Sequence, residues 1–268
     1  VSAAHEVLLR RVEKIKDSQP LSRFLIVISQ LRRDIAGSVS FDDLALGDFR
    51  DKVRAAVFRG QRPLLDKDVL QKINYSTFTN VFLDTLQLLR EAGMGNGSLT
   101  KLTENLEEGG EEYSASFLQK ALGLIDFTSD DPVFDREVAR LLALTPLTPL
   151  LGWVNGLTSR TDTALLVRGC LTCGSLHKVG LYQGGFRILF CIFCSNRVRT
   201  DFFYCTVCGN TDPNTMNFLK PSEAPYVQLD RCERCGSVFG MVVEDMLGGA
   251  ISDPLLIYAS ILDLLSIH

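Results

Sequence analysis

The first 169 of the 268 residues contain no cysteine, while the stretch from Cys170 to Cys235 contains all eight. Thiol chemistry therefore plays no part in holding the N-terminal portion, which must fold on an ordinary apolar core; with 46% apolar residues the chain can supply one. The sharp change in composition marks a domain boundary. Positive charge is also short. The net charge is -4 and the pI about 5.5, which argues against a nucleic-acid partner, since that usually brings a basic face. The balance tightens over residues 164–246, where eight Lys and Arg meet seven Asp and Glu. Eight thiolates with two divalent ions would bring that stretch to about -3, so phosphate would be repelled overall.

Two other absences narrow the class. The start of the chain leads into Arg10-Arg11-Val12-Glu13-Lys14 rather than an apolar signal core, so export is not expected. The longest uncharged run, Leu141 to Ser159, is broken by Pro146, Pro149, Gly152 and Gly156. It reads as a buried helix-turn segment and not as a membrane span. The N-terminal portion offers neither a nucleophile beside a base nor a phosphate loop, so no residue is assigned to catalysis.

That portion has helical texture. Phe24, Val27, Ile28, Leu31 and Ile35 recur at helical spacing, as do Phe78, Val81, Phe82, Leu86 and Leu89. Pro20 opens the first helix and the Gly93-Met94-Gly95-Asn96-Gly97 stretch closes the second. Asp131-Pro132 predicts an N-cap with proline in the first turn, opening a helix through about Leu144. Glu104, Glu107, Glu108, Glu111 and Glu112 read as a solvated surface or loop.

From residue 164 onward the texture changes to short alternating stretches. Val179 to Tyr182 and Phe186 to Phe190 flank Gln183-Gly184-Gly185 as a hairpin, and further strands are expected at 198–204, 215–219, 226–230 and 238–243. Ser252-Asp253-Pro254 starts a last helix whose remainder is apolar on nearly every face. Such a helix needs cover from the N-terminal helices or from a second copy of the chain, which would make a homo-oligomer.

The cysteines fall into four pairs, Cys170/Cys173, Cys191/Cys194, Cys205/Cys208 and Cys232/Cys235, each with two residues between its members. Two intervening residues let a tight turn aim both sulfurs at one ion, and two such knuckles complete a tetrahedron. Sequential pairing of the knuckles keeps each site local, with an interleaved arrangement as the alternative. Glycine follows the second cysteine at Gly174, Gly209 and Gly236, where a knuckle turn commonly takes positive φ; Ser195 breaks the rule. Four sulfurs close a tetrahedron and leave no position for substrate, which favours a folding staple over a reactive centre. A four-sulfur site suits zinc and iron alike. Redox dithiols would want one pair at a strand-to-helix turn rather than four in series, and disulfides would want export. His177, beside the first knuckle, is not needed as a ligand.

The order Cys170-x-x-Cys173-Gly174, Gly184-Gly185-Phe186-Arg187-Ile188-Leu189-Phe190-Cys191-x-x-Cys194, then Cys205-x-x-Cys208 and Cys232-x-x-Cys235 resembles the formate dehydrogenase accessory (formation) protein family. The resemblance implies an N-terminal all-α domain (1–163), two rubredoxin-like or zinc-ribbon four-cysteine modules (164–200 and 201–250) and a C-terminal helix (251–268). It implies a cytoplasmic helper, not an enzyme, which binds the catalytic subunit of a molybdenum- or tungsten-dependent formate dehydrogenase and promotes its maturation. Two metal ions, iron or zinc, would sit on the eight cysteines. Arg187, the one charged residue of the matched hairpin, is the candidate for contact with that partner. The alternatives are a zinc-ribbon protein associated with nucleic acid or the ribosome, and a thiol oxidoreductase.

Overall fold

A computed structural model describes residues 20–161, 164–183, 185–222, 224–243 and 253–266. The N-terminal residues read for export, Gly184 of the hairpin turn and Ser252 ahead of the last helix lie outside the described residues. The chain divides into two compact units, one spanning residues 30–157 and the other gathering the described residues before and after it.

The unit of residues 30–157 is helical. Helix α1 (Pro20–Ser38) enters it and is followed by a single turn, α2 (Phe41–Leu44), then α3 (Phe49–Phe58), a short turn α4 (Lys67–Leu70), α5 (Tyr75–Leu89), α6 (Gly97–Leu122), α7 (Arg136–Leu144) and α8 (Thr148–Thr158). The predicted stripe on α5 is the one buried: Phe78, Phe82, Leu86 and Leu89 are inaccessible. Phe78 and Phe82 and, on α6, Phe117 form a continuous row of mutually tilted rings with centroids 5.5 and 5.6 Å apart. Such pairs add to area burial and tie the two longest helices of this unit together. On α1 the stripe is rotated slightly, with Leu25 and Ile28 buried and Phe24 and Val27 only half-buried.

The five glutamates of the acidic stretch are exposed on α6, whose opposite face buries Leu99, Leu102 and Leu106. The uncharged run folds as predicted into two short helices, α7 and α8, bent by 97° at the prolines. Among the described residues no single helix is long and apolar enough to cross a membrane.

The expected cap at Asp131 is a correction. Helix α7 begins at Arg136, where Asp135 accepts from the Glu137 amide at 2.8 Å. Asp131 is buried and its carboxylate is occupied elsewhere, by the Thr128 amide at 2.7 Å and by the Lys120 ammonium at 2.7 Å. Burial works to raise the pKa of this carboxyl, but Lys120 and Thr128 outweigh it and hold the pKa below the usual carboxylate range. With its oxygens committed to a turn and a cation, Asp131 has nothing left to offer helix amides.

The other unit is built on a six-stranded sheet among the described residues, ordered β3-β2-β1-β6-β5-β4. The strands are β1 (Val179–Gln183), β2 (Phe186–Phe190), β3 (Arg197–Thr200), β4 (Met216–Leu219), β5 (Val227–Cys232) and β6 (Val238–Val243). Three antiparallel strands carry the first two knuckles and three carry the last two. The trios join where β1 runs parallel to β6, with Val179 opposite Gly240. The two modules therefore share one sheet. Strand β3 ends at Thr200 and not at 204, because the carbonyls of Phe202 and Tyr204 bond to a buried arginine instead of a neighbouring strand.

The C-terminal helix α9 (Pro254–Ser266) packs on β1 and β6. Leu255, Leu256, Ile257, Ala259 and Ile261 are buried, and Gly240 on β6 leaves the space that Ile261 fills, since a Cβ there would come within 2.4 Å of it. Asp253 accepts from the Leu255 amide at 3.0 Å and from the Ser29 hydroxyl of α1. The sheet thus covers this helix along β1 and β6, and α1, one of the N-terminal helices expected to cover it, bonds to Asp253 at its start.

The Lys120–Asp131 pair gives a direct test of the helical unit. Removing one partner of a buried ion pair leaves an uncompensated charge, so Asp131→Ala is expected to lower unfolding stability by about 3 kcal/mol, read by chemical denaturation at neutral pH. Because the folded pKa is depressed, the carboxylate's contribution is present above about pH 3.9 and disappears as pH falls through the folded value. The variant's deficit should shrink accordingly in acid.

Candidate metal centres

All four knuckles close in the same way. The amide of the first cysteine donates to the carbonyl five residues on (Cys170 to Ser175, Cys191 to Asn196, Cys205 to Asn210, Cys232 to Ser237) at 2.7 to 2.9 Å. The residue after the second cysteine donates back to the carbonyl of the first, at 2.8 to 3.0 Å. This double closure requires the residue after the second cysteine to turn left-handed: Gly174, Gly209 and Gly236 have φ of 77°, 76° and 75°. Ser195 adopts φ 62° and is the one non-glycine with positive φ among the described residues. The second knuckle thus keeps the geometry at the expense of strain.

The knuckles meet in sequential order. Cys170, Cys173, Cys191 and Cys194 form one group, Cys205, Cys208, Cys232 and Cys235 the other, and within each group all sulfurs lie within 4.8 Å of one another. Cross-knuckle Sγ distances are 3.3 Å (Cys170 to Cys194) and 3.5 Å (Cys173 to Cys191) in the first group. In the second they are 3.7 Å (Cys205 to Cys235) and 3.8 Å (Cys208 to Cys232). A tetrahedron with metal–sulfur bonds of about 2.3 Å has edges of about 3.8 Å, so the second group matches it closely and the first is slightly compressed. Disulfides would need about 2.0 Å, and all eight cysteines are free. Four soft sulfurs at tetrahedral spacing fit zinc or iron. His177 is buried but belongs to neither group.

Neighbouring groups prepare the sulfurs for charge. The Thr172 amide points at Cys170 Sγ from 3.4 Å, and Asn210 Nδ2 at Cys232 Sγ from 3.7 Å. Each site also places a serine hydroxyl two residues past a ligand, Ser175 at 3.3 Å from Cys173 and Ser237 at 3.1 Å from Cys235. Around the first site, Asn196 Nδ2 donates to Thr158 Oγ1 at 2.9 Å, and Thr158 in turn bonds Thr172 at 2.7 Å. Such outer bonds orient ligands and tune the ion they hold.

The two sites differ in their access to water. Every cysteine of the first is buried, whereas Cys208 of the second is half-buried and Cys235 exposed. Burial pushes the Cys170 and Cys194 thiols well up, while hydrogen bonds from the other three sulfurs draw Cys173 well down. In the second site burial raises Cys205 to about 12. At Cys235 the burial penalty is outweighed by bonds with Ser237 and with Cys208 and Cys205, leaving it at about 6.

Arg187, expected to face a partner, is another correction. It is fully buried, with its Nη1 donating to the carbonyls of Phe202 at 3.0 Å and Tyr204 at 2.9 Å. Its guanidinium faces Asp230, which is equally buried, across 3.5 Å. Strand β2 alternates its side chains, and Arg187 points inward where Phe186 points out. The hairpin's charge is an internal strut rather than a surface contact. The sequence signal that could have revealed this was Asp230, an acid two residues from Gln228 and from Cys232 on a strand, and so on the same face as both, which are buried.

Two tests follow from this geometry. Ser195→Gly should raise the stability of the metal-loaded protein by about 1 kcal/mol in a denaturant titration, by relieving left-handed strain without touching a ligand. Timed alkylation of the metal-loaded protein in the presence of a chelator should modify Cys235 and then Cys208 before any of the first four cysteines, as read by peptide mass spectrometry.

No family model matches the chain. The protein described as "Protein FdhE homolog" from Aquifex aeolicus is 23% identical over 250 residues, covering 90% of this chain and 81% of that protein. The crystal structure of the FdhE protein from Pseudomonas aeruginosa superposes with a TM-score of 0.62 at 21% identity, covering 99% of this chain and 91% of that one. The helical N-terminal part, the sheet that carries the two sulfur groups and the closing helix thus follow a known fold. Taken together, the sequence and fold likenesses to FdhE proteins bear out the resemblance to the formate dehydrogenase accessory protein family that the order of the cysteines carries.

Proposed function

We propose that this chain is a cytoplasmic accessory protein that binds the catalytic subunit of a molybdenum- or tungsten-dependent formate dehydrogenase and promotes its maturation, without itself oxidising formate. The observation that carries the reading is the conjunction of two four-cysteine groups on one sheet with likeness to FdhE proteins over most of the chain. Each group would hold one iron or zinc ion on four thiolates. When bound, such an ion supplies folding energy and, if it is iron, a one-electron couple.

The chain's own residues do the rest. The knuckle amides and glycines fix sulfur positions, Asn210 and the Thr172 amide support negative charge on sulfur, and the shared sheet presents both modules as one rigid element. Closed four-sulfur ligation leaves no position for a substrate, which supports a binding role over a catalytic one.

A nucleic-acid partner is the weaker reading on charge, and a thiol oxidoreductase would need thiols outside the two groups or free within them. The functional reading is tested by deleting the gene in its host and assaying formate dehydrogenase. Activity is expected to fall by more than about tenfold while the catalytic subunit persists, to return on complementation, and the subunit to co-purify with tagged chain. Unchanged activity in the deletion strain would refute the proposal.

A further inference from the structure

The residues that join the two modules form a single buried polar cluster, and its connections lead to the knuckles of both. Tyr182 on β1 and Arg187 on β2 are cross-strand neighbours in the first module. Both reach the same carboxylate in the second module, Asp230 on β5: Tyr182 through its hydroxyl, Arg187 across 3.5 Å. Gln228 completes the cluster, donating to Tyr182 Oη at 3.0 Å and to Asp230 Oδ1 at 2.8 Å. Arg187 also holds the Phe202 and Tyr204 carbonyls and lies 5.4 Å from the Phe239 ring centroid on β6. The ring of Tyr182 stacks on Phe202 at 5.0 Å.

Position along the chain gives these contacts their meaning. Arg187 lies on the strand that runs into Cys191, Tyr204 immediately precedes Cys205, and Asp230 stands two residues before Cys232. One guanidinium therefore fixes the entry into a knuckle of the first site and, directly or through Asp230, into both knuckles of the second. The cluster is not well built for stability alone. Arg187 Nε and Nη2 make no hydrogen bond among the described residues, and a buried pair of this kind is often matched or bettered by apolar side chains of similar size. What an apolar pair could not reproduce is the directional hold on two carbonyls and a carboxylate.

We propose that the Tyr182–Arg187–Asp230 cluster couples the two four-cysteine sites, so that metal held at one raises the affinity of the other. Ordering Cys205 and Cys232 around an ion sets the Tyr204 carbonyl and Asp230, which orient Arg187 and with it the strand presenting Cys191. Because binding and local folding are linked at such sites, an ordered partner module lowers the ordering cost of the second event. Coupling of this kind is reciprocal. The inference rests on the reading that both groups hold metal.

The test uses the full chain, zinc ions and a chromophoric competing chelator. The affinity of the second site is measured with the first intact and zinc-filled, and again with the first disabled by Cys170→Ser and Cys194→Ser. The mirror pair, Cys205→Ser and Cys235→Ser, reports the first site. Each site is expected to lose affinity by about tenfold when the other is disabled, and by the same factor in both directions. In the paired variant Arg187→Met with Asp230→Leu, which fills the space with apolar atoms, that factor should fall to near one. Tyr182→Phe, which removes only a hydroxyl, should reduce it part of the way and guards against misfolding of the paired variant. Wild-type sites that bind zinc with affinities indifferent to each other overturn the coupling while leaving the metal reading intact. Coupling that persists unchanged in both cluster variants runs through the sheet or through the Arg168 bond to the Cys208 carbonyl, and overturns the assignment to this cluster. A wild-type chain that takes up no zinc and no iron overturns both.

Discussion

Gathering four thiols so that every sulfur lies within 4.8 Å of the others is the constraint on which the C-terminal half of this protein depends. Without a cation the groups cannot all ionise, because burial and neighbouring sulfurs push Cys170 and Cys194 up while hydrogen bonds from the other sulfurs draw Cys173 down. A divalent ion at the centre removes the conflict, and affinity for it falls with pH as protons compete for sulfur. The strands between the knuckles are short, from four to six residues, and a lone hairpin of that size is marginal in water. Joining β1 to β6 makes six strands of two such trios, and α9 covers the join. Closure of the knuckles and completion of the sheet depend on each other.

Within that frame the two sites are not equivalent. The first is sealed by its own cysteines, by Thr158 and Thr172, and by Asn196. The second opens Cys235 to water, and there bonds with Ser237, Cys208 and Cys205 outweigh the burial penalty and hold its thiol below the usual range. The Arg187–Asp230 strut between them keeps both in one register.

Much of this was legible in the residues. Four Cys-x-x-Cys pairs with no cysteine left over pointed to the two four-sulfur groups, the glycines at 174, 209 and 236 to the turn, and local spacing to the sequential pairing that the structure shows. Helical periodicity located α1 and α5 because a helix buries every third or fourth residue whatever it packs against. The misses share a cause: each concerns a polar group claimed by a partner outside its own predicted element. Asp131 looked like a cap because Lys120 and Thr128 could not be seen to claim it. Arg187 looked available to a partner because Asp230 is 43 positions away, and the end of β3 was misplaced because the same arginine takes the Phe202 and Tyr204 carbonyls. The apolar C-terminal helix showed that it needed cover but not that the sheet would provide it.

Elemental analysis of protein purified without oxygen or chelators decides whether the eight cysteines form two closed metal sites on one sheet. Two ions of zinc or iron per chain are expected, with the thiols shielded from a titrating reagent until the protein is denatured. A chain carrying no metal, with its thiols freely titratable in the native state, would contradict that expectation.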